Sequence, residues 1–195
     1  MASDTQHAPA RPAHRPSARE AMLDAAEAHL GAGGTLTLDS AARAAEVSKP
    51  GLMYHFATKE QLLTAVLDRI TARYEQGMAQ AMSATADAVF ADATATQRFL
   101  AYFDWAGQAL LTPADLVIFA DPKLRVALTE RWQEQVDRWL HVPAGTTADR
   151  RRRLLAVRLM ADGLWFDRAS GLLVTSAAEA VTLRGLAAEL LDGAA

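Results

Sequence analysis

The chain of 195 residues contains no cysteine. This absence excludes disulfide bonds, thiol catalysis and cysteine-ligated zinc, and it fits a reducing cytoplasm. No apolar run is long enough to cross a membrane, and residues 1–16 contain no hydrophobic segment of the kind found in secretory signals. We therefore expect a cytoplasmic protein without a membrane partner.

Recognisable catalytic and metal-binding motifs are also missing. The run Gly31-Ala32-Gly33-Gly34 is rich in glycine, but no Lys-Ser/Thr pair follows it, so it is not a phosphate-binding loop. Neither HExxH nor GxSxG occurs, and His29, His55 and His141 are scattered along the chain. We predict that the protein is not an enzyme, with no catalytic residues, no metal and no cofactor.

The chain has little excess charge of either sign. Its formal net charge is −3, which excludes a uniformly basic nucleic-acid coat, so any DNA contact must come from a local surface strengthened by dimerisation. Residues 1–16 contain three prolines together with Arg11 and Arg15, a composition that predicts a disordered, mildly basic arm. That arm is either a solvated tail or a segment that touches phosphates or the minor groove.

The residues that are abundant favour helices. Apolar residues make up 51% of the chain, alanine is frequent and β-branched residues are sparse, which predicts an all-α fold. Capping residues such as Ser17, Thr37, Ser48 and Thr58 mark helix starts, and glycines and prolines mark the ends. About nine helices are expected, over residues 17–30, 38–45, 49–55, 59–90 with a bend near Gly77, 94–111, 113–120, 122–141, 147–170 and 176–191.

The segment from Leu36 to Phe56 has the pattern of a helix-turn-helix. Small alanines in its first helix allow close approach of the second helix, and Val47 fills the turn between them. Leu52 and Phe56 anchor the second helix from inside, which leaves its opposite side free to enter a major groove about 12 Å wide.

The side chains predicted to face outward suit contact with DNA. Lys49 can pair with a phosphate or a guanine edge, and Tyr54 and His55 can donate to phosphate oxygens. Lys59 is a cation in the first turn of a helix, where it is unfavourable unless an anion is near. The predicted DNA-binding residues are Thr37, Ser48, Lys49, Pro50, Gly51, Tyr54, His55 and Lys59.

Residues 17–65 resemble the tetracycline-repressor (TetR) family. The resemblance rests on Thr37-Leu38-Asp39-Ser40-Ala41-Ala42, on Val47-Ser48-Lys49-Pro50-Gly51-Leu52-Met53-Tyr54-His55-Phe56, and on Thr58-Lys59-Glu60-Gln61-Leu62-Leu63. It implies that the predicted DNA-binding residues face DNA. Two departures stand out: Glu46 replaces a usual glycine in the turn, and Pro50 stands where glycine or a small residue is common.

The resemblance also implies a two-domain architecture. We expect a helix-turn-helix domain at residues 17–64 and a helical domain for ligand binding and dimerisation at residues 65–195. Large soft side chains concentrate in the second half, and they form either plain core or a cavity. The tentative pocket residues are Met82, Phe103, Trp105, Phe119, Trp132, Trp139, Met160 and Trp165. Arg158 and Asp162, four residues apart, are expected to pair with each other.

The last two predicted helices have the composition of a dimer interface. Leu154–Leu164 is apolar around most of its circumference, and Ala177–Leu191 combines small residues with leucines, so together they suit a four-helix seam across a two-fold axis. The run Arg150–Arg153 has no assigned role. We interpret it as the solvated start of a helix capped near Thr146 or Thr147, although contacts with a neighbouring helix or subunit stay open.

Together these features predict a homodimeric, ligand-responsive transcriptional regulator. Its expected partners are double-stranded operator DNA and a small hydrophobic or amphipathic effector that releases a repressor from its operator. The alternative is a helical small-molecule-binding or protein-interaction module that does not bind an operator.

Overall fold

The computed structural model describes residues 17–86, 92–172 and 175–193, and these residues form helices without any strand. The expected arm at residues 1–16, and Phe90 at the end of the fourth predicted helix, lie outside the described residues. The helices are α1 (Ala18–Gly31), α2 (Leu38–Ala44), α3 (Lys49–His55), α4 (Lys59–Ala86), α5 (Ala95–Gln108), a 3₁₀ helix (Pro113–Phe119), α6 (Arg125–Trp139), α7 (Ala148–Ser170) and α8 (Ala177–Asp192).

The expected caps begin these helices. The side-chain oxygens of Ser17, Thr37, Ser48 and Thr147 each accept a hydrogen bond from a backbone N–H in the first turn of the helix that follows. Thr58 does the same for α4, through the N–H of Gln61 at 3.1 Å. Because free N–H groups at a helix start are costly to leave unpaired, these side chains fix where each helix begins.

Helix α4 connects the two halves of the molecule. It runs unbroken through the domain boundary expected at residues 64–65 and past Gly77. Its buried side chains belong to one apolar core that also includes residues from α1 and from α7. Those of α4 include Leu62, Leu63, Val66, Ile70 and Tyr74. The two halves therefore share a helix and a continuous core.

Three segments differ in detail from the expected helices. Helix α5 ends at Gln108 because Ala109 is extended (φ −59°, ψ 140°) and its carbonyl accepts from Arg168 Nε at 3.2 Å. The segment after Pro113 is a 3₁₀ helix broken at Leu116 (φ −87°, ψ 20°). Helix α6 starts at Arg125 because the preceding turn is held by Asp121, whose Oδ1 accepts from Lys123 N–H at 2.8 Å.

The arginine run at the start of α7 makes local contacts. Arg152 and Arg153 both pair with Asp149, at 3.1 and 2.6 Å. Arg150 donates to the carbonyl of Leu191 in α8 and to the hydroxyl of Thr96 in α5. These contacts join the start of α7 to two neighbouring helices.

None of the helices in the described ranges is both long and apolar enough to span a membrane.

Candidate DNA-binding surface and effector cavities

Helices α2 and α3 form the expected helix-turn-helix. Leu52 and Phe56 are buried, at 0% and 1% exposure, and hold α3 against the core. Ser48 Oγ accepts from Gly51 N–H at 3.2 Å. A Cβ added at Gly51 would lie 3.1 Å from that same oxygen, so glycine keeps the cap uncrowded. The opposite side of α3 faces away from the core.

The outward face of α3 carries four exposed residues at helical spacing: Lys49, Pro50, Met53 and Tyr54. Tyr54 is 86% exposed and Met53 41% exposed, and the Tyr54 ring meets the edge of His55 at 5.0 Å. Met53 is not among the residues predicted to bind DNA, although its position four residues after Lys49 places it on this face. An exposed tyrosine and methionine side by side on a short helix suit contact with base edges and thymine methyl groups.

Lys49 is not a free cation in this structure. Its ammonium lies 3.0 Å from the Asp39 carboxylate of α2, and both side chains are about half exposed. An exposed pair of this kind is worth at most about 1 kcal/mol, so a phosphate can displace Asp39 at little cost.

Lys59 is paired more closely. Its Nζ lies 2.5 Å from Asp121 Oδ2, and the two side chains are only 28% and 16% exposed. The Lys59 hydrogen bond is the main reason that the pKa of Asp121 is lowered. The anionic partner expected for a lysine at a helix start is therefore present within the chain, in the turn before α6.

Glu46 holds the turn in a left-handed conformation, with φ of +55°. The N–H of Glu46 donates to the Arg43 carbonyl at 3.1 Å, and the N–H of Val47 donates to the Ala42 carbonyl at 3.0 Å. This pair of bonds is the Schellman motif, in which the left-handed residue is usually glycine. The conformation explains why glycine is common at this position in the family that the segment resembles.

A cavity of about 450 Å³ lies between α6 and α7. Trp132 and Trp165 stack in its wall with centroids 5.6 Å apart. Asp162 accepts from Tyr102 OH at 2.8 Å and from Arg158 Nε at 3.1 Å, which confirms the expected pairing of Arg158 with Asp162. The cavity thus combines an aromatic wall with the Asp162 carboxylate, whose charge is balanced by Arg158. This combination is typical of pockets for amphipathic molecules.

A second cavity of about 520 Å³ lies between α4 and α5 and is lined in part by Tyr74, Gly77 and Trp105. Gly77 allows the Trp105 indole to pack directly on the backbone of α4, because a Cβ at this position would lie 2.5 Å from Trp105 Cδ1. The rings of Tyr74 and Trp105 are 4.4 Å apart, and those of Tyr74 and Trp132 are 5.7 Å apart. Aromatic rings in contact therefore separate the two cavities.

A polar chain leads from this aromatic wall toward α1. Trp165 Nε1 donates to Tyr74 OH at 3.0 Å, and Tyr74 OH donates to Asp115 Oδ1 at 2.6 Å. Burial, followed by the nearby Asp115 charge, raises the pKa of Tyr74 far above its usual range, so the hydroxyl keeps its proton. Arg73 lies 3.5 Å from Asp115 and 2.6 Å from Glu27 of α1.

The tentative pocket residues fall into distinct environments. Trp132 and Trp165 line the α6–α7 cavity and Trp105 lines the α4–α5 cavity. The others line neither of these cavities. Met82 packs with Ala93 and Ala101, Phe103 and Trp139 are buried in the main core, Met160 is half-buried against it, and Phe119 is 48% exposed.

Helices α7 and α8 both carry exposed apolar side chains. Five large apolar side chains on these two helices are 43% to 72% exposed: Leu155, Leu159, Phe166, Val181 and Leu186. Gly163 and Gly185 are exposed on the same two helices, and a Cβ at either would meet nothing within 4 Å. The two helices pack against each other, so these exposed apolar side chains make the pair a candidate protein contact surface.

Sequence comparison relates both halves of the chain to one family. A family profile described as "Bacterial regulatory proteins, tetR family" matches residues 22–66. A second, described as "Tetracyclin repressor-like, C-terminal domain", matches residues 116–192. The chain belongs to the TetR family. Its members are DNA-binding regulators with a helix-turn-helix and a helical ligand-binding domain, so the resemblance seen in residues 17–65 is confirmed and extends to the second half.

The fold of this TetR-family protein matches a solved structure. The multidrug binding protein EbrR, complexed with imidazole, aligns with a TM-score of 0.61 at 20% identity, covering 93% of this chain and 98% of that chain. At this identity the likeness concerns the fold. The curated proteins include no match to this chain.

The described residues of this TetR-family protein contain no group of three or more histidine, aspartate or glutamate side chains able to hold a metal ion.

Proposed function

We propose that the protein is a homodimeric repressor that leaves its operator when a small hydrophobic or amphipathic effector binds. The observation that carries DNA binding is the outward face of α3, where Tyr54 and Met53 are exposed while Leu52 and Phe56 fix the helix from behind. This geometry suits insertion into the major groove, with Lys49 and the caps Thr37 and Ser48 near phosphates. Pro50, Gly51, His55 and Lys59 complete the proposed surface.

The effector site is proposed at the aromatic wall between the two cavities. Stacked Trp132 and Trp165 offer a flat apolar surface, and Asp162 with Arg158 offers polar anchoring. EbrR, which shares the fold, is described as a multidrug binding protein, which supports an amphipathic effector here. No catalytic step is proposed at this site.

The polar chain from Trp165 to Glu27 supports a route by which an effector acts on the DNA-binding half. A molecule that displaces Trp165 removes the hydrogen bond that the indole donates to Tyr74 OH. Because Tyr74 contacts Asp115, and Arg73 contacts both Asp115 and Glu27 of α1, this change alters how α1 packs against the rest of the protein. The spacing of the two recognition helices, expected near 34 Å in the DNA-binding conformer, then changes. The effector shifts operator affinity only by its different affinities for the two conformers.

Selection of bound fragments from random DNA tests the proposed repressor. We expect a two-fold-related sequence to be enriched, with half-sites one helical turn apart. On that sequence, Tyr54→Ala should weaken binding at least about fivefold per half-site, the loss of one contact worth about 1 kcal/mol. Glu130→Ala, an exposed change on α6, is the matched control and should bind like the unchanged protein.

The result also separates the proposal from its rival. If no sequence is enriched and Tyr54→Ala has no effect, the chain is a helical module for small molecules or proteins, and the regulator proposal fails. If a sequence is enriched, the genes that lie beside its occurrences in the genome of the source organism indicate the chemistry of the effector.

A further inference from the structure

The pairing of Lys59 with Asp121 has a consequence for operator binding. Lys59 is the first residue of α4 and follows His55, the last residue of α3, by four positions. Four residues of chain span at most about 14 Å, and phosphates border both edges of a major groove about 12 Å wide. With α3 in the groove, as the proposed function requires, the Lys59 ammonium is within reach of the DNA backbone.

The same ammonium is already held by a carboxylate of the effector-binding half. Lys59 Nζ and Asp121 Oδ2 are 2.5 Å apart and largely covered. A second pair between α4 and the same region, Asp68 with Arg131 at 2.9 Å, has side chains that are about two-fifths exposed. A phosphate that approaches Lys59 meets the Asp121 charge that already neutralises the ammonium and repels the phosphate, so the intramolecular pair and the operator compete for one cation.

We propose that Asp121 restrains operator binding by holding the Lys59 ammonium, and that helix α6 sets this restraint. Asp121 Oδ1 accepts from Lys123 N–H in the turn that leads into α6, so the carboxylate is fixed to that helix. Five residues of α6 line the α6–α7 cavity: Thr129, Trp132, Gln133, Val136 and Asp137. A shift of α6 therefore changes how firmly Lys59 is held. Asp121 acts through Lys59 and is a positioning residue.

A double-mutant cycle on the selected operator tests this inference, which rests on the proposed function. Asp121→Asn removes the charge while its side-chain oxygen can still accept from Lys123, so the turn into α6 is kept. It should tighten operator binding roughly twofold to fivefold per half-site, the range expected for release of one partly exposed ion pair. In a Lys59→Gln background the same change should have no effect, because no cation is left to release.

The salt dependence of binding gives a readout that a purely structural role would not move. In the Asp121→Asn background, the plot of log K against log salt should be steeper by about 0.9 per half-site when Lys59 is kept than when Lys59→Gln is added, which corresponds to one phosphate contact. Asp68→Asn is the matched control, because it breaks the pair that joins α4 to Arg131 of α6 without freeing a lysine beside α3. It should leave operator affinity and the salt slope unchanged.

Failure of the inference about Asp121 can be distinguished from failure of the proposed regulator function. Unchanged or weaker binding of a folded Asp121→Asn variant overturns the inference, as does equal tightening in the Lys59→Gln background or by Asp68→Asn. In each of these cases the unchanged protein still binds the selected operator, so the regulator proposal stands. Thermal unfolding of every variant establishes that the compared proteins are folded.

Discussion

The left-handed backbone at Glu46 is a strain carried by a single residue. A residue with a Cβ is destabilised by roughly 1 kcal/mol in this backbone conformation, whereas glycine is not. Glu46→Gly should therefore raise the free energy of unfolding by about 0.5–1 kcal/mol, measured by chemical denaturation.

The matched control at this position is Glu46→Ala, which removes the charge but keeps the Cβ. It should leave stability nearly unchanged. Both variants remove a negative charge beside the proposed DNA surface, so both should bind the operator more tightly at low salt. Equal stability gains in the two variants would mean that charge, and not φ of +55°, limits stability at the turn.

Local interactions of single residues were predictable and distant ones were not. Ser17, Thr37, Ser48 and Thr58 act as caps because their partners lie three residues ahead in the sequence. The pair Lys59–Asp121 joins positions 62 residues apart. A lysine at a helix start predicts an anion nearby, but the sequence does not say whether that anion is a phosphate or a carboxylate of the same chain.

At the scale of helices, Gly77 determines how closely α5 packs on α4. A Cβ at this position would lie 2.5 Å from Trp105 Cδ1 and 2.7 Å from its Nε1. Gly77→Ala should therefore destabilise the protein by about 1–3 kcal/mol, the usual cost of overpacking. Gly107→Ala on α5, whose Cβ would meet its neighbours at 3.9 and 4.0 Å, should be neutral or slightly stabilising. Thermal unfolding compares the two, and equal destabilisation would contradict a specific clash with Trp105.

The hydroxyl of Tyr74 joins α4 to the 3₁₀ helix and to α7. Tyr74→Phe removes the donor to Asp115 and the acceptor for Trp165. Because the lost donor served a buried carboxylate, we expect a loss of about 1.5–3 kcal/mol in the free energy of unfolding. Tyr54→Phe removes a hydroxyl from an exposed ring and should leave stability unchanged. A Tyr74→Phe protein as stable as the unchanged one would show that the polar chain does not hold these helices together.

Helix positions followed from the sequence, whereas the ends that depend on tertiary contacts did not. The signals that begin a helix at serine or threonine and end it at glycine depend only on neighbouring residues. The bounds of α1, α3 and α7 therefore agree with expectation to within a residue or two. The end of α5 instead depends on Arg168, 59 residues beyond Ala109. The start of α6 depends on a turn built around Asp121.

For the whole molecule, composition predicted an aromatic-rich second half but not which rings face a cavity. Trp105, Trp132 and Trp165 line cavities, whereas Trp139 and Phe103 are buried in the main core. Trp132 and Trp139 each follow an arginine, and Phe103 and Trp105 flank the same aspartate, so sequence neighbours do not separate rings that line a cavity from rings in the core, and only the packing of α4, α5, α6 and α7 distinguishes them. A fold-level resemblance gives the architecture, but the cavity walls depend on contacts between distant segments.

Helices α7 and α8, with their exposed apolar side chains, are the elements that we expect to form the dimer. Leu159 is 55% exposed in α7 and would be buried against a second copy across a two-fold axis. Leu159→Glu would bury an uncompensated carboxylate there, at a cost of roughly 3 kcal/mol or more. The dimer dissociation constant should therefore rise at least about a hundredfold, which sedimentation equilibrium measures.

Loss of the dimer should also remove operator binding, because one α3 reads only a few base pairs and the two half-sites act together. Val126→Glu is the matched control: Val126 is 70% exposed on α6, which is not one of the two helices of the expected interface, so a carboxylate there stays in water and should change neither assembly nor binding. If Leu159→Glu and Val126→Glu sediment alike as dimers, the two copies meet through a different surface, and the exposed leucines of α7 serve another contact.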